Sequence, residues 1–191
     1  MSTPRASLCV LLLSSAWALA CANVGDRVEE KVRDVVAVQA ERGLARSMGV
    51  PRSKVNVEAV GDRFHIETPS WDGDCGLGPD ARTPAGFPFS ADGKAVADCT
   101  VDPDCKDVFG FVCDQYGDLQ LVLSTHGKSA AASRKKARKG ELEARGWKVR
   151  SAKQDQATVL TAMKGKKIQA VAIVSEGDDG ETFELLIAPA K

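Results

Sequence analysis

Hydrophobic positions follow a helical spacing early in the chain. Between residues 24 and 48, valines recur every three or four positions, with charged side chains among the positions between them. A period near 3.6 residues predicts an amphipathic helix. Gly49 and Pro51 follow this segment and mark the end of the predicted helix, because proline cannot continue one.

Apolar and polar residues then alternate, which is the pattern of half-buried strands. Segments 54–60 and 63–68 both alternate in this way. The Gly61-Asp62 pair between them is typical of a turn, so the two segments predict a hairpin. The polar side of its second strand carries Arg63, His65 and Glu67.

The second half of the chain also contains strand patterns. Residues 108–113 and 118–125 predict a hairpin with its turn at Tyr116-Gly117, and Leu119, Leu121 and Leu123 share one face of it. Further strands are predicted near 147–151, 156–163, 166–175 and 181–188.

A second helix is predicted over residues 129–145 and ends at Gly146. Ala130, Ala137 and Ala144 recur every seven residues along one flank of it. Small side chains on this flank predict that the helix lies close upon the sheet.

The predicted order is therefore helix, four strands, helix, four strands. We interpret residues 21–191 as a single α+β domain, with an antiparallel sheet and two helices. Its halves, 24–127 and 128–191, form a possible pseudo-repeat of two α-β-β-β-β units. This order is similar to helix-over-sheet folds such as the cystatin-like type, a likeness that carries no functional implication.

Residues 69–107 differ from the rest because turn residues are abundant and large apolar residues are few. We predict a loop inserted in the first half and braced by disulfides, since so little apolar area cannot offset the entropy of ordering. Three pairings of the four nearby cysteines are possible. We favour Cys75 with Cys113 and Cys99 with Cys105.

Residues 1–20 have the layout of a secretory signal peptide. Arg5 precedes an apolar core over residues 8–13, and small residues follow it. The apolar stretch is shorter than the roughly 20 residues of a membrane-spanning helix. We therefore predict export.

The stretch around Cys21 resembles the lipobox of bacterial lipoproteins, in which a cysteine becomes the first mature residue and is acylated. Ala18-Leu19-Ala20 permits cleavage before Cys21. The resemblance implies a lipid anchor at Cys21 and a domain that faces the periplasm or the cell surface. Cleavage before Asn23, which yields a soluble periplasmic or secreted protein, is the alternative. Either outcome leaves an even number of unmodified cysteines, enough for two disulfides.

Opposite charges are concentrated in two separate segments of the chain. Residues 70–118 hold ten aspartates against three basic residues, a net charge of −7. Residues 128–153 hold ten Lys or Arg against two glutamates, a net charge of +8. We predict contact with an envelope protein or another anionic surface through the basic helix. The residues predicted to make it are Arg134, Lys135, Arg138 and Lys139. Export and the scarcity of aromatic residues argue against nucleic acid.

Candidate chemistry is weak elsewhere. The segment 125–129 contains Gly-Lys-Ser but lacks the earlier glycine of a phosphate-binding loop. His65 and His126 are expected to be solvated, and no catalytic set or cofactor is predicted. The cysteines lack zinc-site spacing. Calcium is a weak alternative, with hard oxygen ligands from Asp98, Asp102 and Asp104.

These observations predict a noncatalytic cell-envelope lipoprotein that binds or scaffolds another envelope component. A carrier of a small ligand, held in a pocket between helix and sheet, is one alternative. An exported enzyme of unknown class is the other.

Overall fold

The fold is taken from a computed structural model, and the description covers only part of the chain. The described residues are 33, 37, 38, 40–42, 45, 50–69, 71–78, 81–90, 92–102, 110–154, 157–177 and 179–190, without the side chains of 113 and 114. The predicted signal peptide 1–20, Cys21, Asp104 and Cys105 lie outside these residues, as does the side chain of Cys113.

Among the described residues, nine antiparallel strands form one sheet in the order β1-β2-β3-β4-β5-β9-β8-β7-β6. The strands are β1 (Asn56–Val60), β2 (Arg63–Glu67), β3 (Asp72–Leu77), β4 (Lys94–Asp102), β5 (Leu119–Lys128), β6 (Lys148–Gln154), β7 (Ala157–Lys164), β8 (Lys167–Glu176) and β9 (Glu181–Pro189). A 3₁₀ turn (Arg52–Lys54) precedes β1, and the helices α1 (Cys113–Tyr116) and α2 (Ala131–Ala144) flank β5. The predicted α+β class with an antiparallel sheet is confirmed.

Both faces of the sheet are apolar over much of their area. On the face that carries α2, here called the upper face, Leu142 of the helix packs with Leu160, Ala170, Ala172 and Leu186 of the strands. On the lower face, buried strand residues such as Phe64 and Ile187 pack with three alanines of the N-terminal region: Ala37, Ala40 and Ala45. These alanines are helical, which agrees with the predicted first helix at the positions described.

The predicted loop 69–107 is wrong over two segments, because β3 and β4 lie within it. Both strands are made largely of glycine, alanine, cysteine, threonine and aspartate, and these residues give no strong alternating pattern. Pairing with neighbouring strands stabilises them instead. The predicted strand 108–113 is also wrong at its described residues. Phe111 makes only an isolated bridge there, and α1 begins at Cys113.

The disulfide connectivity differs from the pairing that we favoured. Cys75 bonds to Cys99, with 4.1 Å between their Cα atoms, so the predicted Cys75–Cys113 and Cys99–Cys105 pairs are wrong. The physical reason is the register, since Cys75 and Cys99 stand directly opposite each other on β3 and β4. Facing positions of an antiparallel pair bring Cβ atoms within the reach of a disulfide.

The sheet-facing side of α2 also differs from the prediction. Arg134, Arg138 and Leu142 are its buried residues, whereas Ala137 and Ala144 are exposed. The small residues that let helix and sheet approach are on the strands, where Ala162 and Ala170 are fully buried. Among the described residues no helix is long and apolar enough to cross a membrane.

Candidate functional site

Glu184 lies at the centre of a buried group of charged side chains. It stands on β9, on the upper face, and is fully buried. Arg138 donates to both of its oxygens, from Nε to Oε1 at 2.8 Å and from Nη2 to Oε2 at 3.0 Å. Arg134 donates from Nε to Oε2 at 2.8 Å. Burial alone would raise the pKa of Glu184, but the hydrogen bonds and charges of the two arginines outweigh it and lower that pKa.

Residues 81–90 together with Asp92, here called the strap, are tied to α2 by the same arginines. Arg134 donates to Asp92, from Nη2 to Oδ1 at 2.5 Å, and this bond holds the pKa of Asp92 well below its usual range. The backbone N–H of Ser90 donates to Oε1 of Glu141 at 2.7 Å. The guanidinium carbon of Arg138 lies 5.1 Å from the ring centre of Phe89, a cation–π contact. Charged and aromatic contacts therefore hold the strap onto the helix.

His126 also belongs to this group. The prediction that it is solvated is wrong. Its side chain is 8% exposed, and its Nε2 lies 3.0 Å from Oε2 of Glu184. Burial lowers the pKa of His126 below its ordinary value, although the nearby carboxylate opposes that shift. The neutral ring is therefore favoured near pH 7.

Two of the four residues predicted to contact an anionic partner are engaged within the chain. Arg138 is fully buried and Arg134 nearly so, and both bind carboxylates of this protein. Lys135 and Lys139 are exposed on the outer side of α2, with Lys139 Nζ 3.7 Å from Glu143 Oε1. We therefore no longer assign Arg134 and Arg138 to a partner contact.

Strand β6, beside α2, extends the exposed basic surface. The sheet ends at β6 among the described strands. Its side chains Lys148, Arg150 and Lys153 are exposed. The turn between β7 and β8 lies next to Lys148, whose register partner is Met163. Exposed cations at this turn are Lys164, Lys166 and Lys167.

The upper face of β1–β4 is polar and acidic. Glu67 stands directly opposite Asp72, which in turn stands opposite Asp102, so three carboxylates form a row across β2, β3 and β4. Like charges at facing positions destabilise a sheet. His65 is on the polar side of β2 as predicted, and its Nδ1 lies 2.9 Å from Oδ1 of Asp74. That hydrogen bond raises the pKa of His65.

The calcium alternative gains no support from these residues. Oδ2 of Asp98 accepts from Arg63 Nη2 at 2.8 Å, and Oδ1 accepts from the backbone N–H of Arg82 at 2.9 Å. Asp98 is thus a buried ion-pair partner on β4. Within the described ranges, no three His, Cys, Asp or Glu side chains are grouped to hold a metal ion.

The Gly-Lys-Ser segment connects β5 to α2. Ser129 has a positive φ of 55°, and its backbone N–H donates to the carbonyl of Gly180 at 2.9 Å. The next N–H, that of Ala130, donates to Thr182 Oγ1 at 3.0 Å. Both bonds join the start of α2 to the start of β9, which is a structural role.

Sequence reasoning missed Glu184 and Asp92. Glu184 had a readable signal, because it alternates with Leu186 and Ala188 on the side of β9 that faces the core. Asp92 had none, since it is one aspartate among many in a turn-rich segment. Comparison with known proteins finds no matching family model, no matching curated protein and no matching solved structure.

Proposed function

We propose that this protein is a noncatalytic, exported lipoprotein of the cell envelope that binds an anionic partner. The observation that supports it is the basic surface, which we define as the exposed cations of α2, β6 and the β7–β8 turn. Its members are Lys135, Lys136, Lys139, Lys148, Arg150, Lys153, Lys164, Lys166 and Lys167. Exposed like charges on neighbouring elements raise the local potential and attract a partner of opposite sign.

The buried arginines support the proposal indirectly. Arg134 and Arg138 are matched by Glu184 and Asp92 inside the fold. The lysines between and beside them on α2 have no such structural task, with Lys135 and Lys136 both exposed. The positive charge of the basic surface is thus available to solvent and to a partner.

The membrane attachment remains part of the proposal and depends on Cys21. Acylation of this residue would anchor the domain at the envelope, facing the periplasm or the cell surface. Mass spectrometry of the mature N-terminus tests it. An acylated Cys21 is expected. An unmodified chain that begins at Asn23 would contradict the lipid anchor and support the soluble periplasmic or secreted alternative.

Partner binding is tested with vesicles and with acidic polypeptide, at low and at physiological salt. A Lys135→Gln, Lys139→Gln variant should bind less and show weaker salt dependence, because exposed charges act over roughly 8 Å at physiological salt. A matched control changes two exposed cations that precede β1 in the chain and lie outside the basic surface, Arg42→Gln and Lys54→Gln. Equal affinity for every anionic probe in both variants would show that Lys135 and Lys139 are solvent-exposed without contributing to binding.

The carrier alternative finds no support between α2 and the sheet. The space there is filled by the buried side chains of Arg134, Arg138 and Leu142 against the strand alanines. We also retain the pseudo-repeat as a proposal. Strands β1–β4 form one antiparallel meander and β6–β9 form another, with β5 between them.

A further inference from the structure

Strand β6 is an edge strand of the sheet among the described residues, and its pairing is regular. Its seven residues pair with β7 in continuous register from Lys148–Met163 to Gln154–Ala157. It contains no proline. Proteins commonly blunt edge strands with bulges, prolines, very short length or charged side chains, lysine above all, because a free edge pairs readily with another strand. On β6 the backbone geometry favours such pairing, and among the described residues the charges are what restricts it.

The charges of β6 select which strand can pair with it. Val149 stands opposite Ala162, which is buried on the upper face, so Lys148 and Arg150 belong to the lower face. Lys153 belongs to the upper face. Two copies of β6 side by side would bring six cations together, so the edge disfavours self-association. An acidic strand would meet cations on both faces.

The surroundings of β6 reinforce this selection. On the upper side, Leu142 of α2 belongs to the same apolar cluster as Val149 of β6, and Lys139 is exposed on the outer side of that helix. At the β7–β8 turn, exposed lysines continue the positive charge beyond Lys148. The cations on and around β6 therefore extend over the whole strand, and an extended acidic segment of several residues would complement them in charge.

We infer that β6 binds an acidic, extended polypeptide segment by strand addition, the segment becoming a tenth strand of the sheet. Main-chain hydrogen bonds to the free edge would supply affinity, and carboxylates facing Lys148 and Arg150 would supply specificity. This inference rests on the proposed anionic partner and narrows it to a polypeptide. Binding of lipid phosphate would need the lysines but not the strand edge.

The test uses the full chain and a synthetic peptide, TEVEVTEV, blocked at both ends. We expect the peptide to bind and to slow hydrogen exchange at alternate backbone amides of residues 148–154, because only every second amide of an edge strand faces outward. A peptide of identical charge, N-methylated on alternate amides, should bind about tenfold more weakly or worse, because it cannot complete the ladder.

Charge variants locate the binding. Lys148→Glu with Arg150→Glu should lower peptide affinity about tenfold, since two attractive contacts become repulsive. The matched control reverses two exposed cations that precede β1 in the chain and lie outside the basic surface, Arg42→Glu with Lys54→Glu, and should lower it no more than about threefold. Unfolding midpoints near wild type would show that both variants fold.

Three results would overturn the inference. Equal binding of the N-methylated peptide, or binding without protection at 148–154, would show charge attraction without strand addition. Binding to vesicles of phosphatidylcholine and phosphatidylglycerol but not to the peptide would assign the basic surface to lipid. Each of these results leaves the proposed anionic partner in place. Binding to neither probe would reject both the inference and the proposed function.

Discussion

Gly93 lies directly against the imidazole ring of His126. A Cβ atom on Gly93 would come 2.4 Å from Cε1 of the ring, and the φ of Gly93 is 116°, where other residues are strained. The glycine thereby lets β4 approach β5 closely enough to cover His126. A histidine at a strand end is buried as a result, beside Glu184, Arg134 and Asp92.

The first prediction concerns pH. Because burial lowers the pKa of His126, the unfolded chain gains a proton from about pH 6.5 downward while the folded chain resists it. The contribution of neutral His126 to the free energy of unfolding is therefore complete above that pH. It is lost as the pH falls through the pKa that His126 has in the folded protein. Asp92 and Glu184 also have lowered pKa values, but as carboxylates they act mainly below about pH 4.

Urea unfolding between pH 7.5 and 5 checks this. His126→Gln should remove part of the loss seen in wild type on acidification. His65 acts in the opposite direction, since its raised pKa gives stability that disappears as the pH rises. The matched control is therefore His65→Gln, which should steepen the acid loss. Identical pH profiles for wild type and His126→Gln would contradict the assignment.

The second prediction concerns Glu184. Glu184→Gln leaves Arg134 and Arg138 without their buried carboxylate, and breaking such a buried pair costs about 3–5 kcal/mol. The free energy of unfolding from urea titration measures the loss. Lys135→Met, on the exposed side of the same helix, should change it by less than about 0.5 kcal/mol. A Glu184→Gln loss as small as that of the control would show that the arginines find solvent instead.

Sequence patterns predicted the strands with large alternating apolar residues. Segment 63–68 matches β2 and 181–188 matches β9 to within a residue at each end. They failed for β3, whose Gly73 packs so closely that a Cβ would come 2.4 Å from the carbonyl oxygen of Thr100. A glycine required by close strand packing looks in sequence like a turn residue.

The candidate site was less readable than the fold. Composition identified a basic helix, but it could not distinguish the arginines that bind Glu184 from the lysines that face solvent. Arg134, Arg138 and Leu142 do share one side of the helix at intervals of four. Reading this as a buried side needs a buried acid on the sheet, and only the register of β9 supplies Glu184.

The third prediction concerns Gly140, in the middle of α2. A Cβ there would meet nothing within 4 Å, so alanine fits without a clash. Gly140→Ala should raise the free energy of unfolding by about 0.5–1 kcal/mol, because glycine loses more backbone freedom in a helix. Gly93→Ala is the contrasting variant and should destabilise through its contact with His126. A destabilised Gly140→Ala protein would indicate that this side of α2 is covered.

The fourth prediction concerns the disulfides. If Cys21 is acylated or removed, Cys105 and Cys113 are the two cysteines of the mature domain left to form a second bond, because Cys75 bonds to Cys99. Denatured, unreduced protein should therefore show no free thiol at any of these four cysteines. Labelling at Cys105 or Cys113 would reduce the framework to the single bond between β3 and β4.

Mapping of disulfide-linked fragments identifies which cysteines are bonded to each other. Trypsin leaves Cys99 and Cys105 together in residues 95–106, so a second cut before Asp102 or Asp104 is needed to separate them. The unreduced digest should then contain Cys75 linked to Cys99 and Cys105 linked to Cys113. Recovery of Cys75 linked to Cys113 would contradict the register of β3 and β4, since Cys75 and Cys99 face each other there. Removing the bond between β3 and β4 by Cys75→Ala with Cys99→Ala should lower the free energy of unfolding by about 2–5 kcal/mol, because the link restricts the unfolded chain.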